Sequence, residues 1–152
     1  MKQLMIICLF SVSAVAQSDD ALVKVRVPAV KARFGHAGSI EIFVSVTNGY
    51  HIQANQTKDE LIIPTTLEIA EDETFKTNEQ VFPSAKKFTL AGTDQYLEVY
   101  DGDFLIQTSF TMSEPGERGI RQLKGTLTYQ ACDSVRCLFP RTVDFFVSIE
   151  IQ

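Results

Sequence analysis

A chain of 152 residues, 45% of them hydrophobic, is long enough to bury one ordinary core without relying on cysteine staples. Its 14 basic and 19 acidic side chains give a formal net charge of −5, and the basic ones are scattered, which argues against nucleic acid or an anionic membrane as a partner. The two histidines, His36 and His51, lack cysteine or carboxylate at ligand spacing, so neither a metal nor any other cofactor is expected.

In chain order, the first feature is an exported leader. Lys2 precedes the apolar stretch Leu4 to Val12, and Ala14-Val15-Ala16 supplies the small-x-small pattern of a signal-peptide cleavage site. Residues 1–16 are therefore expected to be removed, Cys8 with them, leaving residues 17–152 as a single domain. The apolar stretch is too short for a membrane span, and no later segment approaches ~18 unbroken apolar residues. Loss of Lys2 leaves 13 basic against 19 acidic side chains, a net charge of −6. The expected product is an extracytoplasmic, monomeric protein with no membrane span.

The mature chain shows apolar residues recurring with period two. After the turn signal Phe34-Gly35-His36-Ala37-Gly38, the residues Ile40, Phe43, Val44 and Val46 alternate with polar ones, and Thr47-Asn48-Gly49 closes the run. Residues 55–80 are polar and irregular, and the pattern predicts long surface loops there around one short strand, Thr65 to Ala70. Ala91-Gly92-Thr93-Asp94 marks a turn, and Asp101-Gly102-Asp103 predicts a hairpin turn. Three strand-length runs follow: one through Leu105, Thr108, Phe110 and Met112; one through Leu123, Leu127 and Tyr129; and one through Val143, Phe145, Val147, Ile149 and Ile151. Glu114-Pro115-Gly116-Glu117 separates the first two. Short strands, frequent turn signals and no long amphipathic segment predict an all-β fold, an antiparallel sandwich.

Cys132 and Cys137, the only thiols left after leader removal, stand in the run from Gly125 to Pro140 and would flank the connection between the last two strands. A disulfide between them would close a ring of six residues, stabilising by roughly 2 kcal/mol against nearly 5 for a loop of about 100 residues. Such a bond is a weak staple and better suited to being opened and closed, although a plain structural disulfide stays open as a reading. Arg136 before Cys137 favours its thiolate, and Asp133 after Cys132 disfavours ionisation there. Arg136 can equally be a solvated turn charge.

Tyr129-Gln130-Ala131-Cys132-Asp133 followed by Cys137-Leu138-Phe139-Pro140 resembles the cysteine segment of the N-terminal periplasmic domain of the DsbD thiol:disulfide interchange family. Gly49-Tyr50-His51-Ile52-Gln53-Ala54-Asn55 is similar to the segment beside the active cysteines of that domain. Phe82-Pro83, followed by Leu97-Glu98-Val99-Tyr100-Asp101-Gly102, is similar to the stretch that carries the family's cap loop. The resemblance implies an immunoglobulin-like sandwich in the periplasm whose cysteine pair relays electrons between thioredoxin-like proteins or domains. It implies Cys137 as the thiol that forms mixed disulfides and Cys132 as the one that resolves them. It also implies a movable cover over the sulfurs, for which Tyr100 is the candidate, with Val99 and Glu98 beside it and with Tyr50 and His51 lining the other side. Full-length members continue into a membrane conduit and a thioredoxin-like domain, so a chain ending at Gln152 is expected to draw electrons from a separate protein such as a membrane conduit, or else to serve another role on the same scaffold.

Two functional classes follow. One is a thiol-disulfide oxidoreductase working through Cys132 and Cys137. The other is a non-enzymatic secreted sandwich that binds a partner through its strand edges, with the disulfide pinning a turn.

Overall fold

The structure, a computed structural model, describes residues 21–57, 61–94, 96–113 and 117–152. The predicted leader, most of the turn at 114–117 and part of the loop near residue 58 lie outside the described residues. Among the described residues twelve strands run in chain order: β1 (Val23–Arg26), β2 (Val30–Ala32), β3 (Ala37–Val46), β4 (His51–Gln53), β5 (Thr66–Ile69), β6 (Phe75–Val81), β7 (Lys86–Thr89), β8 (Tyr96–Tyr100), β9 (Asp103–Met112), β10 (Gly119–Tyr129), β11 (Ala131–Cys132) and β12 (Arg141–Ile151). Among the described residues there is no helix.

The strands form three four-stranded sheets, ordered β1-β3-β9-β6, β2-β12-β10-β5 and β11-β4-β8-β7. Every pairing is antiparallel except that of β2 with β12. This is the immunoglobulin-like antiparallel sandwich that the period-two pattern and the resemblance pointed to. The first two sheets supply most of a shared core: Ile40, Ile42 and Val44 from β3, Ile106 and Phe110 from β9, Leu127 from β10, and Val147 and Ile149 from β12 are all buried. Alternation assigns the faces, because successive strand residues point to opposite sides. Phe43, on the opposite parity to Ile42 and Val44, lies under the Arg26 guanidinium, 4.2 Å from its ring centre.

Two glycines are fixed by packing. A Cβ on Gly38 would stand 2.3 Å from the ring of Phe110, its cross-strand partner, and one on Gly125 would stand 2.3 Å from the ring of its partner Phe145. Each aromatic ring lies across the space its glycine leaves.

Three expectations need correction. The polar stretch Glu71 to Glu79, expected to be loop, contains most of strand β6. Only Phe75 of that strand is fully buried, and the strand sits at a sheet edge with an irregularity between Thr77 and Gln80, so little alternation is visible in its sequence. Asp101-Gly102 does not close a hairpin: it is the corner where the chain passes from β8 in the third sheet to β9 in the first. The stretch Leu97 to Tyr100, expected on a cap loop, is strand β8, paired with both β4 and β7.

Candidate functional site

The third sheet carries Cys132 on its edge strand, with Cys137 bridged to it. Its edge strand β11 pairs with β4 so that Ala131 faces Ile52 and Cys132 faces His51. Gly49 takes a positive φ of 86°, and Tyr50 N–H donates to the Thr47 carbonyl at 3.1 Å, a tight turn that delivers the chain into β4. Gln53 N–H donates to the Gln130 carbonyl at 3.1 Å and extends the pairing toward β10.

Cys132 and Cys137 are joined by a disulfide, with their Cα atoms 3.9 Å apart. The four residues between them are shaped by Asp133, whose Oδ1 accepts N–H bonds from Val135 and Arg136, both at 2.8 Å. Asp133 N–H donates in turn to the Arg136 carbonyl at 2.9 Å, and Leu138 N–H donates to the Ala131 carbonyl at 2.7 Å. The two backbone N–H donors hold the Asp133 carboxyl below its ordinary pKa. Arg136 turns back toward Asp133, with Nε 3.9 Å from Oδ2, so part of its charge is spent on the turn rather than on Cys137.

The pair is asymmetric. Cys132 is completely buried, whereas Cys137 is partly exposed. On either side of Cys137 in the chain the apolar Val135 and Phe139 are exposed, Phe139 to 90%, together with Ser134 and the charged Arg136. Ile63 borders the same region, because its N–H donates to Gln130 Oε1 at 2.9 Å while Gln130 Nε2 donates to the Leu138 carbonyl at 3.1 Å.

Inside, Gln53 and His51 share one face of β4. Gln53 is 1% exposed, and its Nε2 lies 3.0 Å from Cys132 Sγ and 3.7 Å from Cys137 Sγ. Buried His51 packs against Phe88 of β7 with ring centres 3.7 Å apart and the planes tilted by 39°, and its Nε2 has no hydrogen-bond partner among the described residues. Burial lowers the His51 pKa, with the carboxylates of Asp101 and Asp133 acting in the opposite direction. Tyr50, His51, Phe88, Asp101, Asp103 and Ser134 line a cleft of about 540 Å³ at this end of the molecule.

The cap candidates lie elsewhere than expected. Tyr100 is a core side chain on β8: its hydroxyl donates to Asn55 Oδ1 at 2.5 Å, and its ring packs 5.0 Å from that of Phe104. Burial raises its pKa. Val99 is likewise buried, and Glu98 is exposed, with its carbonyl accepting the Ala54 N–H at 2.8 Å. What reaches the cysteine ring is the turn of the β7–β8 hairpin, where Ala91 N–H donates to the Ser134 carbonyl at 3.0 Å. Phe88 and Gln53 thus join the site without having been singled out from sequence. The one available signal was parity, since residues 51 and 53 must share a face of any strand through them.

The fold is similar to the N-terminal periplasmic domain of ScsB from Proteus mirabilis, at 17% identity and a TM-score of 0.59, over 90% of this chain and 49% of that one. The chain therefore spans about half the length of that structure. The DsbD N-terminal domain of Neisseria meningitidis, in its reduced form, aligns over 74% of this chain and 78% of its own at 15% identity and a TM-score of 0.47. No curated protein matches the chain. The sequence profile described as "Thiol:disulfide interchange protein DsbD, N-terminal" matches residues 18–149, nearly the whole chain, and the protein belongs to that family.

Proposed function

We propose that this protein is an extracytoplasmic thiol-disulfide oxidoreductase in which Cys137 is the sulfur exchanged with partners and Cys132 the one that resolves the mixed disulfide. The observation that carries this reading is the asymmetry of the pair at a sheet edge, one sulfur-bearing residue partly exposed between the exposed apolar residues Val135 and Phe139 and the other fully buried.

The chemistry balances without a cofactor. A donor dithiol opens the ring and leaves two electrons and two protons on the pair. The Cys137 thiolate then attacks a partner's disulfide, forming a Cys137–partner bond and releasing the partner's first thiolate. Cys132 attacks Cys137 Sγ, the ring closes, and the partner leaves with its second thiol. Thioredoxin-like proteins, with an exposed disulfide on an apolar face, suit both the donor and the acceptor role. A periplasmic location, as in the name of the ScsB domain, fits the same reading.

A purely structural clasp is the poorer fit, because the turn is already closed by the bonds of Asp133 and by Leu138 N–H to the Ala131 carbonyl, and a ring this small adds only roughly 2 kcal/mol. Titration of the wild-type bond in glutathione and dithiothreitol buffers tests the proposal. Half-reduction well above roughly −300 mV is expected, and a potential at or below that of inert structural disulfides ends it.

A further inference from the structure

Gln53 is a polar side chain in the core whose amide points at sulfur. Both ends of its peptide unit are fixed: its N–H donates to the Gln130 carbonyl at 3.1 Å, and its carbonyl accepts from Thr65 Oγ1 at 2.5 Å. The side chain leaves β4 diagonally opposite Cys132, within reach of a long residue across paired strands. Its –NH₂ carries two donors, which matches two sulfurs at 3.0 and 3.7 Å.

We propose that Gln53 is a catalytic hydrogen-bond donor that stabilises the thiolate formed at Cys132 when the ring opens. This deepens the proposed function and rests on it. A disulfide sulfur is a weak acceptor, and a thiolate is a strong one, so the same contact is worth more after reduction than before. Cys132 needs that help, since it is fully buried and an unaided buried thiolate is disfavoured by loss of solvent. When a donor thiolate attacks Cys137 Sγ, the donor–Cys137 bond forms, the Cys132–Cys137 bond breaks, and the electron pair goes to Cys132 Sγ, beneath the Gln53 amide. When the ring closes again, the same amide keeps Cys132 ionised for attack. The donor thus acts on both the leaving-group and the nucleophile roles of one sulfur.

The test follows the Cys132 thiolate by its ultraviolet absorbance in a Cys137→Ser background, and the opening of the intact ring by dithiothreitol. Gln53→Leu should raise the Cys132 pKa by about one unit and slow opening at neutral pH about tenfold. The near-isosteric Gln53→Glu, which replaces the donor with an acceptor, should also raise the pKa, and it carries the test if the leucine variant does not fold. In the reduced, otherwise unchanged protein, the Gln53 side-chain amide protons should shift in nuclear magnetic resonance with the same midpoint as the Cys132 titration. Amide resonances that ignore that titration, or folded variants with the pKa and opening rate of the parent, overturn the inference. A wild-type bond that resists reduction altogether overturns the proposed function instead, so the two failures are distinguishable.

Discussion

His51 on β4 and Asp133, just beyond β11, both lose their contribution to stability toward acid, in different pH windows. Burial holds the His51 pKa below 6.5, so between its folded value and about 6.5 the unfolded chain binds a proton that the folded chain refuses. Its contribution is therefore complete above that window and is lost as pH falls through it. Asp133 is depressed by its backbone donors, so the stability it adds is present above its unfolded pKa near 3.8 and fades as pH drops through the lower folded value. A chemical-denaturation series between pH 5 and 7.5 should show stability falling toward the acid end, and His51→Gln should flatten that slope. An unchanged slope in the variant would assign it to other groups. At this scale the sequence was half legible. The cysteines, Tyr50 and His51 were singled out because contiguous motifs carry them, and the fold brings them to one end of the molecule. Gln53 stood in the same motif without a role, because only the register of β4 against β11 shows which of its side chains meets sulfur.

Among the elements, the long central strands β3, β9, β10 and β12 were legible because each buries one clean face, so its alternation survives in the sequence. Among the edge strands, β5 was legible within the expected strand Thr65 to Ala70, but β6 and β7 expose most of their residues and β11 is two residues long, and these were not. The same blindness misplaced the cover. Val99 and Tyr100 resemble a cap segment in sequence, but both are buried in the paired strand β8, and it is the hairpin turn that bonds to the loop between the cysteines. That turn can be tested cleanly. Thr93 N–H donates to the Leu90 carbonyl at 3.2 Å and Gly92 takes a φ of 81°, the type II geometry in which the residue at Ala91 accepts proline. Ala91→Pro therefore keeps the turn and removes only the N–H that holds it to Ser134. Reduction of the pair by a small thiol should then speed up several-fold with little change in melting temperature, and an unaltered rate would mean the hairpin is no barrier.

For the molecule as a whole, most of the core and the candidate redox site lie in different parts of the fold. The core lies largely between two sheets, and the third projects its edge strand and the cysteine turn to one end, where Val135 and Phe139 stand exposed. Exposed apolar surface around a reactive bond is what a transient protein partner needs, whereas a small thiol needs only a path to the sulfur. The two demands can be uncoupled. A Cys132→Ser protein should accumulate mixed disulfides through Cys137 with a thioredoxin-like partner, and Cys137→Ser should accumulate far fewer. Adding Phe139→Ser to the trapping variant removes a side chain that is 90% exposed and touches little of the fold, so its reaction with a small disulfide should stay unchanged. Its yield of protein mixed disulfide should fall several-fold, because the partner loses an apolar anchor two residues from the bond it must form. Equal loss with small and protein disulfides would instead place the effect on Cys137 itself, and no loss with either would move the docking face away from Phe139.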